Sequence, residues 1–557
     1  MTRSSKPNVV FIMADQLKWS ALKMYSDIGI ETPSLERLAS SGVSFSHAIT
    51  PHPLCVPART SIMTSRYPHS TGCRRNETLM PPNESHAFRI WKKSGFTTGL
   101  IGKNHCFVDQ SDLELLDIIC EISHQGLALP NHPGETMENK GMGWVTPKEL
   151  IAQSHSTRRN MPRQSPTISY AITDHPIGGY GTSVITDQTL AFLEQMAKGN
   201  NLGPGMGDPF ALWVSYPDPH EPYEVPRYYG DMFPANKVIL PPSRSDEFSD
   251  GSAPDRNRVL YEILNQESDS EEDRRSIVAT YHAMVRFIDD GVGRILDKLE
   301  ALGLRENTIV VFTSDHGDFM GEHGMAVKGG VFYDSLVRVP LIVSWPGGNI
   351  PPNITDESMV NTVDILPTLL QLQGIANFLN PRQGKRKHSL PYSAPVFLLE
   401  LQGDDVTDED LRGFHGQPLP TVTDAFPRRA SYSEYGAGGP AFTPDMLAKF
   451  PRPLGYPALI DTLWARESEG RRKMVRTEHW KYVTDPMSEP IGSILPSGAH
   501  PEDELYDLNS DPWELNNRAA DPGNVKVVSE MRSLLAEWMI RTEDFRPVPL
   551  PRTIGRE

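Results

Sequence analysis

Residues 9–15 read Val-Val-Phe-Ile-Met-Ala-Asp, a short apolar run that stops at a carboxylate. Such a run, apolar on both of its alternating faces, is typical of a strand buried on both sides of a parallel sheet. The same character recurs three times, at residues 97–101, 211–215 and 308–314. Helical patterns lie between these runs, at residues 87–93, 184–197 and 271–302. Alternating strands and helices predict an α/β fold with a mixed, mainly parallel central sheet flanked by helices.

The length of the chain, 557 residues, exceeds what one ordinary core organises, so we expect two domains. We predict a catalytic domain over residues 1–385. A smaller C-terminal α+β subdomain, with a small antiparallel sheet and a terminal helix, is predicted over residues 386–557. Residues 377–435 show little periodicity and predict a long connection or an irregular edge. Further on, residues 472–483 alternate like one strand, and residues 525–541 have the pattern of an amphipathic helix.

The overall composition excludes several classes of function. A net charge of −17 argues against a nucleic-acid or anionic-membrane partner, although a small anionic substrate remains compatible with a locally positive pocket. The chain has no apolar run long enough for a membrane span, and its start passes directly into the first strand without a cleavage site. We therefore expect a cytoplasmic location. The 4 cysteines are too few for a disulfide framework in so long a chain.

Two polar pairs follow predicted strands and are candidates for a metal site. Asp15-Gln16 comes after the first strand, and Asp315-His316 comes after the strand at 308–314. In parallel sheets, ligands gather at the carboxyl ends of the strands. The two pairs offer two carboxylates, an amide oxygen and an imidazole. Oxygen ligands suit hard divalent cations, and the histidine shifts the preference toward Mn²⁺ or another transition ion.

A second informative stretch is residues 55–66, Cys-Val-Pro-Ala-Arg-Thr-Ser-Ile-Met-Thr-Ser-Arg. Pro57 suits the first turn of a helix, where its missing N–H has no partner to lose. The free N–H groups and the positive end of the helix dipole then face Cys55 and favour an anion there. Arg59, one turn later, can reach the same place. Taken alone, the stretch is also compatible with a buried cysteine ahead of an ordinary helix.

The combined motifs resemble the type I sulfatase family of the alkaline-phosphatase-like superfamily, whose signature is Cys-x-Pro-x-Arg. The resemblance implies that a separate maturase converts Cys55 into formylglycine (3-oxoalanine), an aldehyde whose hydrate is the nucleophile. Two positions depart from the signature: Ala58 replaces the usual serine, and Ser65 stands where glycine is usual.

The resemblance also implies one divalent cation, Ca²⁺ or Mn²⁺. Its implied ligands are Asp15, Gln16, Cys55, Asp315 and His316. The commonest family pattern has aspartate at the place of Gln16 and often asparagine at the place of His316. This chain looks more like the choline-sulfatase and phosphonate monoester hydrolase branch. One anionic ligand fewer leaves the site more positive, which favours Mn²⁺ and a more highly charged substrate.

Further residues match the catalytic and anion-binding set of the family, which includes Arg59. Lys103 and His105, in Ile-Gly-Lys-Asn-His, are implied to contact the formylglycine oxygens, and they point the same way if the chain stays extended. His220, in Asp-Pro-His-Glu-Pro, and Lys328 are implied to bind the sulfate and to protonate the leaving oxygen. The remaining matches rest on less sequence context: Asn76 as a substrate-side residue, His323 and His52.

These observations predict a sulfuric ester hydrolase that cleaves a sulfate monoester into an alcohol and sulfate. A phosphonate monoester or phosphodiester hydrolase on the same site is the alternative, because Gln16 and His316 permit it. A binding protein without activity is disfavoured, since none of the matched residues is lost. The implied partners are an anionic sulfate ester and a transient maturase, and homo-oligomerisation stays open. The alcohol, whether sugar, choline or aryl, also stays open, because the predicted specificity loops at 109–179 and 377–435 match no motif.

Overall fold

The computed structural model describes most of the chain. The described residues are 6–107, 109–122, 139–161, 165–198, 209–378, 398–401, 406–411, 413–440, 442–450, 452, 454, 458, 462, 465–467, 469–486 and 494–543. The predicted domain boundary between residues 385 and 386 lies outside them and stays a prediction. No helix in this part of the chain combines the length and apolar character that a bilayer crossing needs.

The strands are numbered in chain order. They are β1 Asn8–Ala14, β2 Gly42–Ile49, β3 Thr97–Gly102, β4 Ile118–Glu121, β5 Tyr170–Thr173, β6 Phe210–Tyr216, β7 Tyr223–Pro226, β8 Thr308–Ser314, β9 Phe319–Met320, β10 Ala326–Val327, β11 Arg338–Ser344, β12 Ile354–Asn361, β13 Ala376–Phe378, β14 Leu398–Leu401, β15 Ser431–Tyr435, β16 Arg472–Arg476, β17 Trp480–Thr484 and β18 Glu504–Asp507.

The α-helices are numbered in the same way. They are α1 Pro33–Ser40, α2 Cys55–Thr64, α3 Pro68–Thr71, α4 Ala87–Lys93, α5 Gln110–Leu113, α6 Lys148–Arg159, α7 Gly181–Lys198, α8 Arg227–Gly230, α9 Asp255–Leu264, α10 Glu271–Ala301, α11 Asp334–Val337, α12 Ile365–Leu372, α13 Asp408–Leu411, α14 Pro444–Leu447 and α15 Val525–Arg541.

Eight strands form the central sheet, in the order β12-β2-β11-β8-β1-β6-β3-β4. Five of its strand pairs are parallel, and the two pairs made by β11 are antiparallel. The predicted mixed, mainly parallel sheet is therefore confirmed. The four apolar runs that predicted it are β1, β3, β6 and β8, and these strands lie side by side as β8-β1-β6-β3.

The alternation of side chains along β1 connects the sheet to a core on each face. Val10 and Ile12 pack in the cluster that includes residues of α7 and α10, whereas Val9 and Phe11 pack with residues of α4 and α12. Helix α10 starts at a capping box in which Ser270 and Asp273 satisfy each other's backbone N–H groups. Helices on both faces explain why the central strands are apolar throughout.

A four-stranded antiparallel sheet, β15-β16-β17-β18, lies in the C-terminal part of the chain and packs with α15. Helix α15 was predicted at residues 525–541 and has those bounds. The prediction of one strand over residues 472–483 was wrong, because β16 and β17 form an antiparallel hairpin there. The Thr477 N–H donates to the carbonyl of Trp480 and closes the turn. Residues 504–507 form β18, which is an edge strand of this sheet.

Candidate active site

The site lies at the carboxyl ends of the four adjacent parallel strands. The last residue of β1, Ala14, pairs with Tyr216 of β6 on one side and with Ser314 of β8 on the other. Gly102 of β3 pairs with Ser215 of β6. The residues that follow these strands therefore meet at one edge of the sheet. They are Asp15, Gln16, Asp315, His316, Lys103 and the loop that carries His220.

Cys55 reaches this edge because it is the first residue of α2, which is buried along its whole length. The preceding residue, Leu54, is extended and offers no side-chain cap. Asn76 supplies the cap instead, since its Oδ1 accepts a hydrogen bond from the N–H of Val56 at 3.1 Å. Asn76, predicted as a substrate-side residue, thus contacts the backbone directly after Cys55. No sequence signal predicts this contact between residues 20 positions apart.

Four side chains form a cluster suited to one divalent cation: Asp15, Cys55, Asp315 and His316. Their ligand atoms all lie within 4.8 Å of one another, and all four residues are buried. Sγ of Cys55 is 3.1 Å from Nε2 of His316 and 3.6 Å from Oδ1 of Asp15. The carbonyl of Gly317 can only accept, so Nδ1 of His316 donates to it at 2.9 Å and the lone pair of Nε2 faces the cluster. Two carboxylates and one imidazole lone pair fit a cation such as Mn²⁺ or Ca²⁺.

Gln16 lies beside this cluster with a defined amide orientation. Its Nε2 donates to Oε2 of Glu221 at 2.9 Å, and its Oε1 accepts from Nζ of Lys328 at 2.6 Å. Glu221 accepts only and Lys328 donates only, so the two partners fix which end of the amide is oxygen. A carboxylate at position 16 would face the carboxylate of Glu221. Glu221 was not predicted as a site residue, although it follows His220 directly in the matched motif.

Three cations surround Cys55. Nζ of Lys328 lies 3.3 Å from Sγ, and Nζ of Lys103 lies 3.9 Å from Sγ and forms an ion pair with Asp15. Nε of Arg59 donates to Oδ2 of Asp315 at 2.7 Å. Nη2 of Arg59 is 3.7 Å from Asp15 and, among the described residues, has no hydrogen-bond partner although it is buried. This buried donor is therefore available to an anionic oxygen.

The charges of the site have clear consequences for protonation. Burial raises the pKa of Asp15, but the surrounding cations outweigh burial and hold this pKa well below its ordinary value. Those cations are Lys103, His220, Arg59 and Lys328. Burial, together with the charge of Asp15, raises the pKa of the Cys55 thiol. An unmodified Cys55 would therefore be protonated and a poor nucleophile.

The two predicted acid–base histidines lie in loops that follow strands of the sheet. Nδ1 of His220 donates to the carbonyl of Glu221 at 2.7 Å. Arg158 holds this loop, since its Nη1 and Nη2 donate to Oδ1 of Asp218 at 2.7 Å and to the carbonyl of His220 at 2.9 Å. His105 has a φ of 49°, so the chain leaves the extended conformation there and strand-like alternation with Lys103 does not apply.

The two remaining predicted histidines contact residues outside the cluster. Nδ1 of His52 accepts from the N–H of Leu54 at 3.2 Å, and its ring stacks on Tyr435 at 5.2 Å, so His52 shapes the turn before Cys55. Nδ1 of His323 lies 2.7 Å from Oε1 of Glu247, and the ring stacks on Tyr333 at 3.7 Å.

Comparison with known proteins agrees with this geometry. A sequence model of the sulfatase family matches residues 7–375. The ulvan-active sulfatase of Formosa agariphila is 31% identical over 67% of this chain. This chain spans only 62% of that relative's length. The choline-sulfatase of Rhizobium meliloti is 28% identical over 67% of this chain and 69% of its own. A phosphonate monoester hydrolase structure from Silicibacter pomeroyi shares the fold, with a TM-score of 0.68 at 21% identity over 97% of this chain and 96% of its own. The chain therefore belongs to the sulfatase family.

Proposed function

We propose that this chain hydrolyses a sulfate monoester to an alcohol and inorganic sulfate at the Cys55 site. One observation carries the proposal: Cys55 begins a helix beside two carboxylates, one imidazole and three cations, all buried at one edge of the sheet. Fixed positive charge around a nucleophile stabilises an anionic ester as charge develops on its oxygens. Family membership supports the same reaction class.

The proposed nucleophile is the hydrate of formylglycine, made from Cys55 by a maturase. The raised pKa of the buried thiol supports this, because cysteine itself would stay protonated. One hydroxyl oxygen of the hydrate attacks sulfur and loses its proton, the ester S–O bond breaks, and the departing oxygen takes up one proton and leaves as the alcohol. The second hydroxyl then loses its proton, the bond between carbon and the sulfate oxygen breaks, and sulfate leaves as the aldehyde re-forms. Water adds to the aldehyde and restores the hydrate.

The residues proposed to hold a divalent cation are Asp15, Gln16, Asp315, His316 and the modified Cys55. When bound, the cation supplies positive charge that polarises the nucleophilic oxygen and one sulfate oxygen. Arg59 pairs with both carboxylates, and its free Nη2 is placed to donate to an anionic oxygen beside residue 55. Lys103 and Lys328 add charge on the other sides of the same atom.

Proton transfer is assigned to the residues that border this centre. His220 is assigned to protonate the departing oxygen, and its Nδ1 donates to the Glu221 carbonyl, so the proton for the substrate is assigned to Nε2. Lys328 is the second candidate acid. Burial lowers its pKa, but Cys55, Asp15 and Glu221 outweigh burial and raise it above the ordinary value. His105 is assigned as the base that accepts the proton of the second hydroxyl.

A phosphonate monoester or phosphodiester hydrolase is the second candidate. It is favoured by Gln16 and His316, which replace anionic or neutral oxygen ligands of the common family pattern and leave the site more positive. Paired phenyl sulfate and phenyl phenylphosphonate assays separate the two. We expect the larger kcat/KM with phenyl sulfate, and a larger kcat/KM with the phosphonate would assign the second function.

A further inference from the structure

A group of basic side chains lies where the C-terminal sheet meets the segment before Cys55. We call Arg74, Arg471 and Lys473 the basic patch. Arg74 comes from the loop after α3, and Arg471 and Lys473 lie at the start of β16. Arg74 is half-buried, Arg471 is exposed, and Lys473 keeps 12% of its side chain exposed. All three side chains are therefore partly open to solvent.

Two members of the basic patch, Lys473 and Arg74, act on one carboxylate, that of Glu434 in β15. Both oxygens of Glu434 are already engaged. Oε2 pairs with Lys473, and Oε1 accepts from the N–H of His69 at 2.5 Å and lies 3.0 Å from Nδ1 of the same residue. Burial lowers the pKa of Lys473, and the negative charge of Glu434 raises it. The positive charges of Arg74 and Arg471 lower the same pKa, so both guanidinium groups lie within electrostatic reach of the Lys473 ammonium.

Arg74 and Arg471 form no ion pair with any carboxylate of the described residues. Nη2 of Arg74 donates to the carbonyl of His69 at 3.5 Å, which is a long contact to a neutral group. The guanidinium of Arg471 lies against Gly438, where an added Cβ would come within 2.9 Å of its Nε. The backbone N–H of Arg471 donates to Oδ1 of Asp485 at 3.1 Å, but neither guanidinium pairs with a described carboxylate, in a chain whose net charge is −17. A guanidinium group that makes no ion pair within the protein is available to bind sulfate, phosphate or carboxylate.

The basic patch borders the proposed active site on two sides. Arg74 lies two residues before Asn76, and Asn76 caps the helix that begins at Cys55. The N–H of Glu434 donates to the carbonyl of Pro51 at 2.9 Å, so β15 runs beside the segment that leads to Cys55.

Tyr435 connects the patch to the Lys328 loop. Its ring stacks on His52, and the Arg472 guanidinium lies over the ring, 5.0 Å from its centroid. The ring also lies against Gly330, because a Cβ added to Gly330 would come within 2.2 Å of the ring. Arg472, which lies between Arg471 and Lys473 in the chain, donates from Nη1 to the carbonyl of Gly330. Gly330 follows Lys328 by two residues.

We propose that the basic patch binds a second anionic group on the same substrate, a sulfate or a carboxylate. This inference rests on the proposed function and specifies the alcohol, which itself carries negative charge after hydrolysis. A substrate with a quaternary ammonium group, such as choline sulfate, would bring positive charge toward Arg74 and Arg471 and is disfavoured. An uncharged aryl alcohol leaves both guanidinium groups without an anion.

The test compares two synthetic disaccharides that share one sulfate ester, the second of which carries one additional sulfate on the other sugar ring. With the unaltered enzyme, kcat/KM should be at least tenfold higher for the disulfated compound. In Arg74→Gln/Arg471→Gln the ratio of the two kcat/KM values should fall toward one, mainly because KM for the disulfated compound rises. In the unaltered enzyme, added salt should reduce the same ratio. Arg429→Gln is the matched control, because Arg429 is 75% exposed and pairs only loosely with Glu530 at 3.6 Å. It should keep the ratio.

Calorimetric titration of both disaccharides into a Cys55→Ala chain separates this inference from the proposed function. Tighter binding of the disulfated compound, lost in the triple variant with Arg74→Gln and Arg471→Gln, supports the patch even if neither compound is hydrolysed. Failure of hydrolysis alone would contradict the proposed function. Equal affinity for the two compounds, or a preference that survives in the triple variant, would overturn the patch.

Discussion

Replacing Gln16 by glutamate tests whether the carboxylate of Glu221 disfavours a second carboxylate at position 16, beside the metal cluster. Nε2 of Gln16 donates to Oε2 of Glu221 at 2.9 Å, and both side chains are buried. Gln16→Glu places two carboxylates in contact. Two unit charges roughly 4 Å apart repel by about 4 kcal/mol at an effective dielectric constant of about 20. Proton uptake by one carboxylate limits the cost, so we expect a loss of about 2–4 kcal/mol from this contact.

The reciprocal variant isolates that contact. In Gln16→Glu/Glu221→Gln the amide and the carboxylate exchange places, and the hydrogen bond can form in the opposite sense. The attraction between a carboxylate at position 16 and Lys328 is present in both the single and the double variant, so it cancels in their comparison. The double variant should therefore regain most of the stability that Gln16→Glu loses.

Thermal unfolding of the metal-free protein provides the assay. With a Tm change of roughly 2–4 °C per kcal/mol for a domain of moderate size, Gln16→Glu should unfold about 5 °C or more below Gln16→Glu/Glu221→Gln. Glu221→Gln alone is the control and should change Tm less, because its amide oxygen still accepts from Gln16. A double variant no more stable than Gln16→Glu would refute the reasoning, since Glu221 would then not sense the charge at position 16.

Three further predictions concern the metal, the cap of α2 and the leaving group. Chelation should abolish activity, and Mn²⁺ should restore activity at least as well as Ca²⁺ because His316 contributes a nitrogen ligand. If Ca²⁺ alone restores activity when a series of metals is added back, this role of His316 is contradicted. Asn76→Ala removes the cap and should lower the free energy of unfolding by about 0.5–2 kcal/mol, whereas Asn76→Asp keeps the acceptor and should retain most of the stability. Equal losses of stability in the two variants, measured by thermal unfolding, would exclude the cap. His220→Ala should lower kcat far more for a sugar sulfate than for nitrophenyl sulfate, whose oxyanion leaves without a proton; equal losses would leave His220 as an anion-binding residue and favour Lys328 as the acid.

The sequence was sufficient to predict what depends on local pattern. The apolar runs that end at Asp15 and Asp315 are buried parallel strands, and Cys55 begins a helix as the position of Pro57 predicts. Contacts between distant residues were not predictable from one sequence. The bond from Gln16 to Glu221 spans 205 positions, and nothing near Asn76 shows that it caps α2.

The hairpin of β16 and β17 was missed for a different reason. The residues of its turn, Thr477, Glu478 and His479, include no glycine, proline or asparagine. Residues of that kind usually mark a tight turn, and the alternating pattern continues across these three without a break. The pairing of β15 with β16 also depends on a strand about 40 residues earlier, within a stretch where the sequence shows little periodicity.

The central claim is that Cys55 acts as formylglycine, and the mass of the peptide that contains it tests this most directly. Protein from a host with a maturase should be digested with trypsin, and its activity should be measured on the same preparation. We predict a Cys55 peptide lighter by roughly 18 Da than the thiol form, in proportion to activity. Full activity in a preparation whose Cys55 peptide retains an unmodified thiol would contradict it.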